Sequence, residues 1–271
     1  SGVYAGEFAL DDVLAKRDVD GKVFGEELAR IGYAGDVDVG AELPSAYLEA
    51  HIEQGPILEA EGQTIGVVTD AQGQRWYEIT VTGFEAHAGP TPMPTRRDAL
   101  VGAARMVDAV NAIGLDHPPH ACATVGMLDV RPNSRNTIPG EVFFTVDFRH
   151  PEEGVLARMD ELLRARCTDI ARGLGLDLNV RQIWHFPATP FDARCVEAVR
   201  AAAAESRLSH RDMVSGAGHD ACYVARVAPT GMIFVPCEGG ISHNEIENAT
   251  SSDLAAGATV LLHAMVDLSN G

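Results

Sequence analysis

Basic residues are scarce in this chain: 21 lysines and arginines face 39 aspartates and glutamates over 271 residues, a formal net charge of −18. Such a balance argues against nucleic acid or an anionic membrane surface as partner, because a polyanion is repelled by a strongly acidic face. A small anionic ligand stays compatible, since a few arginines in one place outweigh the global sign at short range. Long hydrophobic runs are also missing: nothing approaches the ~18 consecutive apolar residues that a membrane-crossing helix needs. Cysteine is sparse and unpatterned. Cys122, Cys167, Cys195, Cys222 and Cys237 are odd in number, scattered and without C-x-x-C spacing, so reduced thiols in apolar surroundings are expected. With 46% apolar content, these features predict a cytoplasmic metabolic protein of one large or two medium domains.

The pattern that is present reads as α/β. From Gln74 to Gly83, Tyr77, Ile79 and Val81 alternate with Trp76, Glu78, Thr80 and Thr82, which predicts a strand. Pro94, Thr95 and Asp98 predict a helix start, and Leu100, Ala103, Val107, Val110 and Ile113 then recur at helical spacing as a buried stripe. Strands are expected over Ala121–Val130, Gly140–Arg149 and Leu176–Trp184, with a helix from Pro151 to Gly173. The resulting order β-α-β-β-α-β is a split-βαβ, ferredoxin-like unit with its middle strands antiparallel. Around it lie the α/β segments Ala46–Ile52, Ile65–Thr69, Ala193–Ser206, Gly231–Val235 and Ser251–Leu268. The expected organisation is an α/β domain over 1–72 and 188–271, interrupted by a lid over 73–187.

Several segments put chemistry-bearing side chains together. In Tyr47-Leu-Glu-Ala-His51-Ile-Glu-Gln-Gly-Pro56 the alternation sets Glu49, His51 and Glu53 on one face. Gly240-Ile-Ser-His243-Asn-Glu-Ile-Glu247 follows an apolar strand and a Gly-Gly turn. Either histidine suits Zn²⁺, Mn²⁺ or Co²⁺ as a ligand, though a lone His beside Glu is commonly just hydrogen-bonded. His87 lies in Ala-His-Ala-Gly-Pro, where small neighbours leave its ring room to reach outward; a structural turn histidine is the plain alternative. Asn136 and Arg149 are read at the start and end of a hairpin-like region. Arg149 falls on the polar face of its strand, where it suits bidentate capture of a carboxylate or a surface pair with Asp147. Ser215-Gly-Ala-Gly218-His219-Asp220 reads as a glycine-rich turn before a helix from Asp220 to Arg226, whose N–H groups suit carbonyl or carboxylate oxygens.

With Glu85-Ala-His87-Ala-Gly-Pro, Asn136-Thr-Ile-Pro139 and Asp147-Phe-Arg149-His-Pro151, these segments in this order resemble the amidase/carbamoylase branch of the dinuclear-metal (M20-like) aminoacylase and exopeptidase family. That branch holds N-carbamoyl-L-amino acid hydrolases, β-ureidopropionases and allantoate amidohydrolases. The resemblance implies a metallopeptidase-like α/β catalytic domain interrupted by a lid that also dimerises. It implies that His51 ligates one metal and His243 the other, with Gln54 at the site's mouth. It implies that His87, often across a dimer interface, and Asn136 are catalytic and steady the oxyanion. Asn136 and Arg149 would hold the substrate's amide and carboxylate, with Gly218 and His219 bordering the pocket. Two divalent ions (Zn, Mn or Co) would activate water against a ureido carbonyl, releasing ammonia and carbon dioxide.

The family also carries an H-x-D segment, an Asp-Gly with a metal-bridging Asp, and a Glu-Glu pair that includes the general base, all ahead of the segment matching Ser1-Gly-Val-Tyr-Ala-Gly. None is read here. The adjacent acids Asp11-Asp12, Glu26-Glu27 and Glu152-Glu153 are taken as solvated charge. The chain is accordingly expected to be the C-terminal two-thirds of such an enzyme, an incomplete catalytic domain with weak or absent metal binding and negligible turnover by itself. A related aminoacylase or dipeptidase and a non-catalytic dimerisation or ligand-binding protein are the alternatives. The expected partners are a small anionic ureido substrate and a second copy of the chain, with no nucleic acid and no membrane.

Overall fold

The computed structural model describes residues 1–40 and 42–270. The chain divides into two compact units, one made of Ser1–Ala71 with Thr189–Gly271 and the other of Gln72–Ala188.

Helices α1 (Leu10–Leu14) and α2 (Phe24–Arg30) precede strand β1 (Tyr47–Ile52), helix α3 (Ile57–Glu61) and strand β2 (Ile65–Ala71). The inserted unit follows. It contains β3 (Gly73–Thr82), β4 (Ala86–His87), α4 (Ala99–Leu115), β5 (Cys122–Thr124) and β6 (Leu128–Arg131), then β7 (Thr137–Ile138), β8 (Glu141–His150), α5 (Glu153–Leu174) and β9 (Asp177–Phe186). The chain returns through β10 (Thr189–Pro190), α6 (Ala193–Glu205), β11 (His210–Ser215), α7 (Asp220–Val224), β12 (Thr230–Val235) and α8 (Ser251–Asn270).

In the inserted unit the strand order is β5-β8-β3-β9, with β6 also pairing β8. Every pairing is antiparallel, the ferredoxin-like arrangement that the β-α-β-β-α-β order predicts. Alternation sets the two faces. Tyr77, Ile79, Val81, Val142, Phe144, Val146 and Phe148 are buried against Met106, Val110 and Ile113 of α4 and Leu156, Met159 and Leu163 of α5. Burying each phenylalanine contributes roughly 2–3 kcal/mol. The intervening residues, Trp76, Glu78, Asp147 and Arg149 among them, share the opposite face.

Four details differ from the sequence expectation. Thr95 belongs to a short 3-10 turn, while Asp98 caps α4 by accepting from the amides of Leu100 at 3.0 Å and Val101 at 3.2 Å. Leu100 is exposed, and the buried stripe runs through Ala99, Ala103, Met106, Val110 and Ile113. The stretch Ala121–Val130 is two short strands rather than one, because the residues between β5 and β6 leave the ladder around Met127. Cys122 is exposed, unlike the other four thiols; all five are free.

In the other unit, β12 lies between parallel β1 and antiparallel β2, and β2 pairs in parallel with β11. All six residues of β12 are buried, which explains its unbroken apolar run. Strand β11 escaped sequence analysis because His210, Arg211 and Asp212 hide its apolar residues. Among the described residues no helix is long and apolar enough to cross a membrane.

Candidate functional site

In the first unit the chemistry gathers at the C-terminal ends of β1 and β12, where His51 is the register partner of Phe234. The His51 ring lies 4.7 Å from that of His219 and 6.5 Å from Phe234, centroid to centroid. Its Nδ1 is 2.9 Å from the carbonyl of Ile52. A carbonyl only accepts, so in the neutral ring Nδ1 carries the proton and Nε2 keeps the lone pair. That is the orientation metal-binding histidines are usually given by a backbone carbonyl. Glu49 shares the face of His51, both approaching His219, whereas Glu53 lies past the end of β1 and turns to α3. Glu49 accepts from the Ala221 amide at 2.8 Å, while Glu53 is buried and accepts from the amides of Ile57 and Leu58, both at 2.8 Å. Glu53 thereby caps α3, and Glu49 occupies the start of α7. One amide of the helix N-terminus expected to bind substrate oxygens, that of Ala221, is taken by Glu49.

His219 is buried, with its Nε2 2.9 Å from Ser215 Oγ and its Nδ1 3.8 Å from Glu49 Oε1. Burial, then the neighbouring His51 ring, push its pKa down to about 4. It is a neutral imidazole at physiological pH. Gly218 is exposed beside it. Burial and the Glu49 carboxylate likewise push the Tyr47 hydroxyl up to about 12.

The loop carrying His243 packs against the one following His51. Gly240 has φ +64°, and a side chain there would meet Pro56 at 2.8 Å. Gln54 donates from Nε2 to Ser242 Oγ at 3.1 Å, and Ser242 donates to Glu247 at 2.7 Å. Glu247 also accepts from the His243 amide at 3.1 Å. These two hydrogen bonds hold the Glu247 carboxyl below the usual range, with smaller help from the charges of His243 and His51. Gln54 and His243 both take left-handed backbone, φ 60° and 54°, a conformation costing about 1–3 kcal/mol and concentrated at functional sites.

In the inserted unit β4 and β7 prolong the β3–β8 pair as a narrow ribbon. Ala86 pairs with Ile138 and His87 with Thr137, and the Ala88 amide donates to the Asn136 carbonyl at 2.9 Å. His87 and Asn136 are thus brought together, both exposed. The Gly89 amide donates to His87 Nδ1 at 3.0 Å, so the neutral ring carries its proton on Nε2 and points a donor outward. Arg96 laces the same loop, donating from Nη2 to the carbonyls of Ala88 at 2.6 Å and Thr91 at 3.0 Å. Thr91 Oγ1 in turn donates to the His87 carbonyl at 2.7 Å.

Arg149 is not with them. It stands at the far end of β8, and the hairpin-like reading of Asn136 and Arg149 fails because β7 continues the line of the strand instead of folding back. The nine residues from Glu141 to Arg149 span on the order of 25 Å. Arg149 donates to Asp147 from Nη2 at 2.7 Å and from Nε at 3.1 Å. The surface pair is therefore formed, and it fixes the plane of the guanidinium on the polar face.

Sequence reasoning missed Arg96, Ser215, Ser242 and Glu247 as organisers of these loops. It also read Glu153 as solvated, whereas Glu153 binds Arg75 at 2.6 Å and His185 at 3.0 Å. Glu26 and Glu27 do lie in the first turn of a helix, α2. A His-x-Asp spacing occurs at His210 and Asp212. There Asp212 binds Arg200 at 2.8 Å and His210 Nδ1 bonds the Leu208 carbonyl at 2.9 Å.

The orientation of His51 fits a metal ligand, but no group of three or more His, Cys, Asp or Glu side chains among the described residues is placed to hold an ion. A catalytic zinc takes about three protein ligands. The described residues supply donors singly and do not complete such a site.

A mixed α/β chain interrupted by a ferredoxin-like unit, with histidines at strand ends, defines a two-unit α/β architecture. The chain belongs to the Peptidase family M20/M25/M40, whose model matches residues 21–267. It is 48% identical to an N-carbamoyl-L-amino-acid amidohydrolase of Rhizobium meliloti, over 98% of this chain and 64% of that protein. It is 33% identical to the allantoate amidohydrolase of Bacillus subtilis, over 99% of this chain and 66% of that protein. Among solved structures, a hydantoinase/carbamoylase family amidase from Burkholderia multivorans superposes with a TM-score of 0.94 at 65% identity, covering 98% of this chain and 65% of that one. The chain thus spans about two-thirds of the length of these relatives.

Proposed function

We propose that the protein belongs to a hydrolase of linear ureido amides that carry a carboxylate, with N-carbamoyl amino acids, β-ureidopropionate and allantoate as the candidate substrates. The similarity to an N-carbamoyl-L-amino-acid amidohydrolase and an allantoate amidohydrolase supports this choice over other amides. The observation that carries it is the outward-facing Nε2–H of His87, held by the Gly89 amide next to Asn136. A donor aimed at the oxygen of a tetrahedral intermediate contributes about 3–4 kcal/mol to transition-state stabilisation. Arg149, held in plane by Asp147, binds the substrate carboxylate, for which a guanidinium offers paired N–H donors.

The separation of Arg149 from His87 and Asn136 means that one small substrate does not reach both within one copy. A homodimer through the inserted unit, each copy lending His87 and Asn136 to the other, resolves this. In the whole enzyme, His51 and His243 would contribute ligands to divalent metal, which would supply a polarised carbonyl and an activated water. The residues of this chain bind, orient and donate protons. Hydrolysis of the ureido bond releases carbon dioxide and ammonia, and the five free thiols suit the reducing cytoplasm.

An aminoacylase or dipeptidase is the second reading, supported by the peptidase character of the family. A calorimetric panel of N-carbamoyl amino acids, N-acetyl amino acids and dipeptides tests the choice. Selective binding of carbamoyl compounds, lost in Arg149→Lys, is expected; binding of dipeptides alone would overturn the proposal.

A further inference from the structure

The chain has two tryptophans, and they face each other. Trp76 of β3 is the register partner of Trp184 on one side and of Asp147 on the other. The two ring centroids are 6.3 Å apart at an interplanar angle of 40°. Both lie on the sheet face turned away from α4 and α5, and they remain 40% and 37% exposed. Neither is needed for the apolar core, which lies on the other face.

A local irregularity makes the pairing possible. The ladder between β3 and β9 shifts between Trp76 and Tyr77, so that Trp76 pairs with Trp184 and Tyr77 with Gln182. Ile183 is the extra residue. In an unshifted ladder Ile183 would pair with Trp76 and Trp184 with Arg75, turning Trp184 to the helix-covered face, because strand side chains alternate. Bulges of this kind re-aim a side chain and recur beside active sites. This one delivers a second indole to the face that carries Arg149.

Arg149 is the diagonal neighbour of Trp76 on that face, since Gln74 pairs with Arg149 and Trp76 with Asp147. Diagonal partners are about 7–8 Å apart, within reach of long side chains. A carboxylate bound at Arg149 would therefore hold its α-carbon beside an aromatic wall.

We propose that Trp76 and Trp184 form the subsite for the substrate's side chain, selecting large apolar side chains, aromatic ones above all, over hydrogen. This rests on the reading of Arg149 as the carboxylate anchor. It goes beyond that reading by naming which amino-acid derivatives the site prefers. Stacking on a partly exposed indole pair favours a planar apolar group, and an aliphatic chain gains less.

The test uses the full chain with four probes: N-carbamoyl-L-phenylalanine, N-carbamoylglycine, N-acetyl-L-phenylalanine and N-acetylglycine. Calorimetry gives affinities, and the fluorescence of the two tryptophans reports contact with them directly. The phenylalanine derivatives are expected to bind at least ten-fold tighter than the glycine derivatives and to quench the emission. Trp76→Ala should erase that ratio while leaving the glycine derivatives within about two-fold, and Trp76→Phe should restore most of it. Equal binding of the phenylalanine and glycine compounds, an unchanged ratio in Trp76→Ala, or no binding of any probe would overturn the proposal. A phenylalanine preference shared by both acyl groups, with no gain from the carbamoyl group, would keep the aromatic subsite and overturn the ureido reading. A carbamoyl preference without a phenylalanine preference would do the reverse.

Discussion

His87 and Arg149 stand at opposite ends of the β3–β8 pair, His87 on the ribbon beyond Glu141 and Arg149 one residue before the strand's last, His150. A substrate the size of a carbamoyl amino acid does not span the distance between them. If both act on one molecule, they come from different copies. Light scattering of the purified protein is expected to give twice the chain mass, and a monomer at micromolar concentration would separate the two residues' roles.

The histidine tautomers make a second expectation. His51 bonds a carbonyl through Nδ1, while His87 accepts an amide at Nδ1. In ¹⁵N-resolved spectra above pH 8, His51 should be protonated on Nδ1 and His87 on Nε2. The same tautomer on both would contradict the donor role of His87.

Glu53 offers a stability test. Its carboxylate is 8% exposed and satisfies two amides of α3. Hydrogen bonds to a buried charged group are each worth about 1.5–3 kcal/mol, so losing both in Glu53→Ala should lower the unfolding free energy by about 3–6 kcal/mol. Chemical denaturation measures it.

Acid stability should report on His150, which is 4% exposed and accepts the Glu152 amide at Nδ1, 2.9 Å. Burial, followed by lesser influences, lowers its pKa below 6.5. The folded state binds this proton less readily than the unfolded chain. The contribution is therefore present above pH ~6.5 and is lost as pH falls through the lower folded value. The urea midpoint should drop between pH 8 and pH 5, and His150→Asn, which keeps an acceptor without the titration, should drop less.

Thiol reactivity separates Cys122 from its fellows. Burial pushes Cys167 up to about 12 and raises Cys195, Cys222 and Cys237 as well. At pH 8, a thiol reagent should label one cysteine quickly in the native protein and five after denaturation.

Much of this was legible in the sequence, for physical reasons that differ by element. The alternation in β3 and β8 predicts both strands and their buried faces, because a period of two leaves little choice once one face is covered. The helix from Ala99 was legible for a similar reason, although its cap lay at Asp98 rather than Thr95. Local pattern could not show that β7 runs on past the sheet, since nothing in Asn136-Thr-Ile-Pro139 states a direction. Nor could it show that Glu49 and Glu53 diverge, because their partners, Ala221 and the amides of α3, are chosen by tertiary packing. The pairing of Trp76 with Trp184 depends on one extra residue more than a hundred positions away. Such a shift leaves no trace in either strand's own sequence.

The last consequence concerns the seam where the insertion begins and ends. Ala71 and Thr189 are cross-strand partners in the β2–β10 ladder, and within the insertion Gln74 pairs with Phe186. Each piece is thus already closed by its own ladder at the junction. A short turn joining Ala71 to Thr189 would replace the whole of 72–188, and that excised stretch would leave with its two ends side by side. The architecture is therefore modular at the level of the gene: the insertion can be removed, exchanged or circularly permuted without rerouting the strands on either side.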